Sequence, residues 1–307
     1  MTNPWLPKLE EYFGTRLQQN VRMSNYTTSR VGGLATALLP VNTLDEMRKA
    51  ANLLWQFEVP FKVIGSGANI LVSDKGYEGV ILLNRCHNIK IYSQQDSPAI
   101  YAESGANFGA MARQSALRGL TGLEWANSIP GTVGGAVYGN AGAHGWDVSQ
   151  ALISTKILFK DGTEHDLSPE DMSYGYRTSL LKREHTPVVI LSASFTAQKS
   201  TRDQAWAILN EFATRRQATQ PGGASTGSTF KNPAGDYAGR LIEAAGLKGH
   251  SEGHAGFSTL HANFIVNDGT ANAQDYYTLI RLAQTRVKQQ FGVDLELEIE
   301  LLGDFDD

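Results

Sequence analysis

The first 86 residues alternate between the apolar patterns of strands and of helices. Four short apolar runs are typical of strands and cover residues 37–41, 61–65, 70–72 and 80–84. Between the first two runs, apolar residues recur at helical spacing from Leu44 to Leu54, behind a capping box formed by Thr43 and Glu46. The pattern therefore predicts an α+β domain over residues 1–86.

The same two periods continue through two further blocks. The second block has predicted strands at 89–93, 99–104 and 187–195, a helix from Phe108 to a stop at Gly119, a hairpin at Asp161-Gly162 and a helix start at Ser168. The third has predicted helices at 206–212, 237–245 and 274–291 and strands at 257–267 and 295–302. The polar stretch 197–204 predicts a boundary. We therefore predict an α+β protein with three domains, 1–86, 87–198 and 199–307.

Composition narrows the class of protein. The 307 residues carry a net charge of −4 at pH 7, so no basic surface of the kind that attracts nucleic acid is expected. No run approaches the roughly 20 apolar residues of a membrane span, and the first residues lack the apolar core of a secretory signal. We expect a cytoplasmic monomer with no nucleic-acid partner and no membrane insertion.

The single cysteine excludes an internal disulfide and a cysteine metal cluster. Cys86 follows an apolar run, where a buried and unreactive thiol is expected. His250 and His254 are spaced i, i+4, but the glycines around them disfavour a helix, and the zinc-protease motif is absent. The sequence therefore predicts no metal site.

The stretch SIPGTVGGAVYGNAGAHG, residues 128–145, contains six glycines. Such a stretch is either a disordered linker or an ordered surface that approaches a partner closely. Ile129, Val133 and Val137 lie between the glycines, whereas disordered linkers are poor in apolar residues. An ordered loop is favoured, and its partner is either another segment of the chain or a ligand.

A second glycine-rich turn, GSGAN, occupies residues 65–69. A Rossmann fingerprint is disfavoured because Ile70 stands at its final glycine position and strand-like residues follow where a helix should begin. On its own this stretch is best interpreted as a tight turn between strands. The functional alternative is a nest of backbone N–H groups that binds phosphate. Two such loops could hold one dinucleotide between them.

Three further positions have an ordinary structural explanation and a chemical one. Arg177 lies among aromatic residues, where an arginine usually forms a structural ion pair. Ser228 sits beside glycine on a predicted loop, where a turn or capping role is common. Glu298 falls on the same face of the last predicted strand as Glu296 and Glu300, which together would form a solvated acidic face. From spacing alone, the ordinary explanations are favoured for all three.

Taken together and in this order, the motifs resemble one family, the UDP-N-acetylenolpyruvoylglucosamine reductases. The stretches that carry the resemblance are GSGANILVSDKG, GLEWANSIPGTVGGAVYGNAG, YGYRTSLLK, GSTFKNPAGDYAGRLIEAAGLKG, HANFIVN and EIELLG. The resemblance implies the FAD-binding fold of vanillyl-alcohol oxidase, in two α+β subdomains, plus a C-terminal substrate-binding domain. It also implies non-covalent FAD, NADPH as co-substrate, and reduction of a UDP-sugar enolpyruvyl ether to UDP-N-acetylmuramate for bacterial cell-wall synthesis.

The resemblance also assigns roles to individual residues. It implies catalytic roles for Arg177, Ser228 and Glu298, and substrate contacts for Lys231, Asn232 and Asn263. The implied FAD-binding residues are Gly65, Ser66, Gly67, Ala68, Asn69, Ile70, Gly131, Thr132, Gly134 and Gly135. In the family's chemistry, hydride adds to the enolpyruvyl CH₂, Arg177 and a protonated Glu298 stabilise the charge that develops, and Ser228 delivers the proton.

Two departures from the family pattern stand out. Ala68 replaces a serine that is usual in the first loop, and Glu300 stands where a basic residue is common. The short stretch 197–227 has no space for a tyrosine-bearing substrate loop, so the chain resembles the family's shorter subtype. Two rival functions remain: a flavin oxidase of the same fold, and a ligand-binding protein whose glycine loops only pack.

Overall fold

The computed structural model describes residues 3–306, which contain nine α-helices. The helices are α1 Leu6–Phe13, α2 Leu44–Gln56, α3 Phe108–Leu117, α4 Val133–Gly139, α5 Val148–Ala151, α6 Leu180–Arg183, α7 Arg202–Thr219, α8 Ala238–Ala244 and α9 Ala273–Phe291. None of the helices in this part of the chain is both long enough and apolar enough to cross a membrane.

Nineteen strands lie between and beside these helices within the same described residues. They are β1 Gln18–Arg22, β2 Leu34–Val41, β3 Phe61–Ile64, β4 Ile70–Val72, β5 Tyr77–Asn84, β6 Ile89–Tyr92, β7 Ala99–Glu103, β8 Leu120–Thr121, β9 Gly142–Ala143, β10 Trp146–Asp147, β11 Leu152–Phe159, β12 Glu164–Leu167, β13 Val188–Thr196, β14 Gln198–Lys199, β15 Ala224–Ser228, β16 Ser251–Glu252, β17 Ala255–Phe257, β18 Phe264–Asn267 and β19 Glu300–Leu302. The α+β class is confirmed.

The chain forms two compact units, each assembled from separate segments. The first unit contains the described residues up to Leu17, then Leu39–Gly65 and Ile81–Arg216, and the second contains the rest. The predicted domain boundaries after residues 86 and 198 stay a prediction.

The first unit is built on an antiparallel sheet of order β12-β11-β13-β7-β6. Phe108 of α3 packs edge-on against Trp125 and also contacts Phe195 of β13, and all three side chains are buried. This apolar core fixes α3 and the glycine-rich stretch that follows it. Cys86 is buried, as predicted, and burial raises the pKa of its thiol to about 12.

The second unit contains an antiparallel sheet of order β15-β18-β17-β16 and a parallel pair, β4 with β19. Helix α9 buries Tyr276 and Leu279 against this unit's core. Both ends of α9 are capped: the Asn272 side chain accepts from the N–H of Asp275, and Gly292 takes the left-handed conformation at the C-terminus.

Three local predictions are corrected. Residues 257–267 are not one strand: β17 and β18 are separated by a turn in which the Ser258 hydroxyl accepts from the N–H groups of Leu260 and His261. Residues 295–302 form strand only at Glu300–Leu302, so the three glutamates do not share a strand face. Ser168 begins a turn that does not continue as a helix.

The capping box before α2 is only partly as predicted. Thr43 accepts from the N–H of Glu46, whereas the Glu46 carboxylate accepts from the N–H of Asn42, one residue earlier than the cap. That bond holds the pKa of Glu46 below its usual value.

Candidate functional site

The first glycine-rich turn begins in direct contact with the second. A Cβ atom at Gly65 would overlap the Thr132 side chain, including its Oγ1. Both residues belong to the first unit. Gly65 is therefore glycine because Thr132 occupies the space where its side chain would lie, and the two loops predicted to bind one cofactor are neighbours here.

Different positions of the second loop are glycine for different physical reasons. Gly131 has φ +129°, which side-chain-bearing residues rarely adopt, and an added Cβ would meet no atom within 4 Å. At Gly134 an added Cβ would lie 2.9 Å from the Ser104 Cβ, and the N–H donates to the Ser104 carbonyl oxygen. Gly134 therefore has a packing reason to be glycine. Gly131 borders open space, and an added Cβ at Gly135 would meet only the Thr132 Oγ1, at 3.9 Å.

The rest of the first turn belongs to the second unit and is held by its own neighbours. The carbonyl oxygen of Gly67 accepts from the N–H of Thr28, and an added Cβ at Gly67 would overlap the Tyr26 carbonyl oxygen. Asn69 donates through Nδ2 to the backbone oxygen of Glu298 and accepts at its own carbonyl from the N–H of Glu300. The turn is thus fixed by backbone contacts along most of its length.

Arg177 occupies a strained turn in the first unit. The turn runs from Gly175 to Thr178, whose backbone groups exchange two hydrogen bonds, and Arg177 has φ +57°. Its Nη2 donates to the Gly142 carbonyl oxygen at 2.7 Å, and its guanidinium lies over the exposed ring of Tyr176. A non-glycine residue in this conformation costs energy, and such positions cluster at functional sites.

Asn140 was missed by the sequence reasoning. It ends α4 in the left-handed conformation and is only 3% exposed. Its Nδ2 donates to the carbonyl oxygen of Gly175, the first residue of the Arg177 turn. The one available signal was an asparagine within the glycine-rich stretch, because asparagine tolerates the left-handed conformation better than most residues.

Ser228 and Glu298 come together in the second unit. Ser228 ends β15 and is paired with Phe264, after an irregularity that includes Gly227 at φ +78°. The N–H of Glu298 donates to the carbonyl oxygen of Thr229, next to Ser228. Two of the three predicted catalytic residues therefore lie on adjacent segments of the second unit. The third, Arg177, belongs to the first unit.

The three predicted substrate residues all have partners within the second unit. Lys231 forms an ion pair with Glu296, with Nζ and Oε2 separated by 3.2 Å. Asn232 accepts from the N–H of Ala238 and so caps α8. Asn263, 3% exposed, accepts from the N–H of Phe230 and donates to its carbonyl oxygen. Asn263 thereby holds the backbone that follows Ser228.

His144, for which the sequence offered no explanation, packs in the first unit. Its ring stacks on Phe212 with centroids 4.1 Å apart, and its Nε2 is 3.2 Å from the Ser128 hydroxyl. Burial, followed by the charges of Arg215 and Arg216, lowers the pKa of His144. A neutral, stacked imidazole that anchors the end of the glycine-rich stretch follows from these contacts.

The geometry suits a bulky anionic cofactor bound through the backbone. Neither glycine-rich loop contains a lysine or arginine, so phosphate would be bound by N–H dipoles, as in other backbone nests. Open space beside Gly131 permits close approach. The residues present therefore fit a dinucleotide such as FAD.

Family comparisons agree with this arrangement. A model described as "FAD binding domain" matches residues 35–168, and one described as "UDP-N-acetylenolpyruvoylglucosamine reductase, C-terminal domain" matches residues 217–302. Together they cover both glycine-rich loops and the segments of Ser228 and Glu298.

Whole-chain relatives have the same name. The UDP-N-acetylenolpyruvoylglucosamine reductase of Chloroflexus aurantiacus is 41% identical, over 91% of this chain and 95% of the relative. That of Bacillus licheniformis is 37% identical, over 97% and 98%. The crystal structure of the Thermus caldophilus reductase matches with a TM-score of 0.77 at 34% identity, covering 92% of this chain and 98% of that one. The chain belongs to the UDP-N-acetylenolpyruvoylglucosamine reductase family.

Proposed function

We propose that this protein uses NADPH to reduce the enolpyruvyl ether of UDP-N-acetylglucosamine-enolpyruvate to UDP-N-acetylmuramate, a precursor of bacterial peptidoglycan. Membership of the family makes the chain an FAD-dependent oxidoreductase. The observation that supports the catalytic assignment best is the pairing of the Ser228 and Glu298 segments, because two residues far apart in the sequence are held on adjacent backbone.

The cofactor loops are proposed to be 65–70 and 131–135. Val133 and Gly134 donate their N–H groups to Ala106 and Ser104. The N–H groups of Thr132 and Gly135, in the first turn of α4 or just before it, are the proposed phosphate donors there. Gly134 then acts by letting the loop pack closely rather than by binding phosphate itself.

Each catalytic side chain has a distinct proposed task. When bound, FAD supplies the hydride that the enolpyruvyl group requires. Arg177, always cationic, binds the substrate carboxylate and stabilises the negative charge that develops beside it. The Ser228 hydroxyl donates a proton to the carbon next to that carboxylate, and Glu298, in its protonated form, donates a hydrogen bond to the same carboxylate.

Substrate contacts are proposed for Lys231, Asn232 and Asn263. Lys231 would break its ion pair with exposed Glu296 and bind a diphosphate oxygen of the UDP-sugar instead. Because an exposed ion pair contributes little stability, breaking it costs little. Asn232 and Asn263 already bind backbone, so each can offer the substrate its unused amide hydrogens and the second lone pair of its Oδ1. NADPH and the UDP-sugar are proposed to bind in turn, which predicts competition between them in steady-state kinetics.

An absorbance spectrum of the purified protein, before and after denaturation, tests this proposal. Flavin bands, with intact FAD released into the filtrate, are expected. Flavin that stays attached to the denatured chain would favour an oxidase with a covalent cofactor. Colourless protein that acquires no flavin bands on titration with FAD would favour a binding protein whose glycine loops only pack.

A further inference from the structure

The turn that carries Arg177 requires support from outside itself. Its two internal hydrogen bonds join Gly175 and Thr178 and leave Arg177 in the left-handed region at φ +57°. A non-glycine residue there is strained and persists only where surrounding contacts determine its conformation. Those contacts can be identified in the same unit.

One short segment supplies three of them. Asn140 donates from Nδ2 to the Gly175 carbonyl oxygen at 3.0 Å, just before the turn's two central residues. Gly142 accepts from the Arg177 guanidinium at 2.7 Å. The Ser179 hydroxyl, just after the turn, donates to the Tyr138 carbonyl oxygen at 2.7 Å. Residues 138–142, which we call the anchor segment, thus contact the turn on both flanks and at the side chain of Arg177.

Asn140 is the member of this segment whose chemistry is most specific. Its Oδ1 accepts from the N–H of Ser149 at 3.0 Å, and its Nδ2 also lies 3.3 Å from the Asp147 carboxylate. Because one amide atom faces a donor and the other faces two acceptors, the orientation of the amide is determined. Asparagine also tolerates the left-handed backbone at this position, where φ is +48°.

We propose that Asn140 is a positioning residue for Arg177: its side-chain amide fixes the turn so that the guanidinium is oriented for substrate. The proposal rests on the proposed role of Arg177 in reducing the enolpyruvyl group. It separates the glycine-rich stretch into a first part that approaches the cofactor and a second part that positions a catalytic side chain.

Two substitutions test the proposal in the holoenzyme. Asn140→Asp keeps the shape and the acceptor for Ser149 but cannot donate to Gly175. Asn140→Gly keeps the left-handed backbone and removes the side chain. Arg177→Lys is the comparator. Ser149→Ala, in the neighbouring helix α5, is the control because the backbone N–H that Ser149 donates to Asn140 is kept. The readouts are flavin content, flavin reduction by NADPH, and anaerobic reoxidation of the reduced enzyme by the enolpyruvyl substrate.

Both Asn140 variants are expected to retain flavin and to be reduced by NADPH at the wild-type rate. Reoxidation by substrate is expected to slow, by up to about 100-fold, because small misplacements of a catalytic group cost that much. Arg177→Lys should show the same split and Ser149→Ala should resemble the wild type. A merely structural role would instead lower flavin content or slow both half-reactions.

The contrary outcomes are distinguishable. Slow reoxidation in Arg177→Lys with wild-type reoxidation in both Asn140 variants would overturn the positioning role alone. Wild-type reoxidation in Arg177→Lys would overturn the proposed role of Arg177, and this inference with it. Loss of flavin in both Asn140 variants, equal slowing of the two half-reactions, or a defect confined to Asn140→Asp, which would be an effect of the new charge, would also overturn it.

Discussion

Asn69 donates a hydrogen bond from its side-chain Nδ2 to the backbone carbonyl oxygen of Glu298, with an N···O distance of 2.9 Å across a separation of 229 residues. The carbonyl oxygen of Asn69 accepts in turn from the N–H of Glu300. A turn predicted to bind the cofactor and a segment predicted to carry a catalytic glutamate are therefore hydrogen-bonded to each other within one unit.

Replacing Asn69 with alanine should disturb Glu298 more than the cofactor. The Glu298 carbonyl loses its donor, an exposed hydrogen bond worth about 0.5–1.5 kcal/mol, and the segment that carries Glu298 loses one of its contacts. We expect a lower kcat for substrate reduction with near-normal flavin content. Steady-state kinetics and the flavin-to-protein ratio measure the two effects. Flavin loss with unchanged kcat per bound flavin would contradict this.

Ser228→Ala should separate the two halves of the reaction. NADPH should still reduce the flavin, but transfer to the enolpyruvyl substrate should fall by roughly 10²–10⁴-fold, because the proton donor is missing. Product formation, followed by chromatography, checks this. Ser225→Ala in the same strand is the matched control and should keep activity. Near-normal product formation by Ser228→Ala would refute the assignment.

Gly134→Val should release flavin from the first unit and leave the second unit folded. A side chain there would press on Ser104, since even a Cβ would lie 2.9 Å from the Ser104 Cβ. Gly139 lies in the same stretch, and an added Cβ there would meet no atom within 4 Å, so Gly139→Ala is the control. Flavin content after gel filtration and hydrogen exchange over residues 217–306 measure the outcome. Equal flavin content in the two variants would be inconsistent with the packing argument.

Histidine titration should follow the contacts of each ring. Its hydrogen bond with Asp268 raises the pKa of His254, whereas burial lowers the pKa values of His144 and His261. These two partly buried rings bind protons less readily in the folded than in the unfolded protein, so they reduce stability as the pH falls below about 6.5. The His254 pair adds stability below that pH and loses it as the pH rises through its raised pKa. NMR titration, with variants that each lack one histidine for assignment, should find that His254 is the last of these three to lose its proton as the pH rises. His144 titrating above His254 would contradict the contacts described.

Local periodicity predicted most elements because their ends carry local signals. Helix α9 begins and ends within one residue of its predicted bounds, where Asn272 and Gly292 cap it. The apolar and polar alternation from Leu295 to Leu302 predicted one strand, which was wrong because pairing partners elsewhere in the chain determine the structure of this segment. Leu297 bridges to Phe230, whereas Glu300–Leu302 pair with β4. Tertiary pairing of this kind is not encoded in spacing.

The sequence motifs predicted which residues form the candidate site, but not the contacts that hold those residues in place. Family resemblance pointed to Arg177, Ser228 and Glu298, and their catalytic roles stay predictions. The reasons for glycine at positions 65 and 134 depend on Thr132 and Ser104. Asn140 escaped notice because its partners, Gly175 and Ser149, are identified only by the folded backbone.

The most direct test of the proposed function is anaerobic NADPH oxidation by the purified holoenzyme with UDP-N-acetylglucosamine-enolpyruvate as the only acceptor. We predict sustained NADPH loss that requires the substrate and matches UDP-N-acetylmuramate formation mole for mole. NADPH loss that occurs only when oxygen is admitted, or no substrate-dependent loss in flavin-loaded protein, would contradict the proposed reductase.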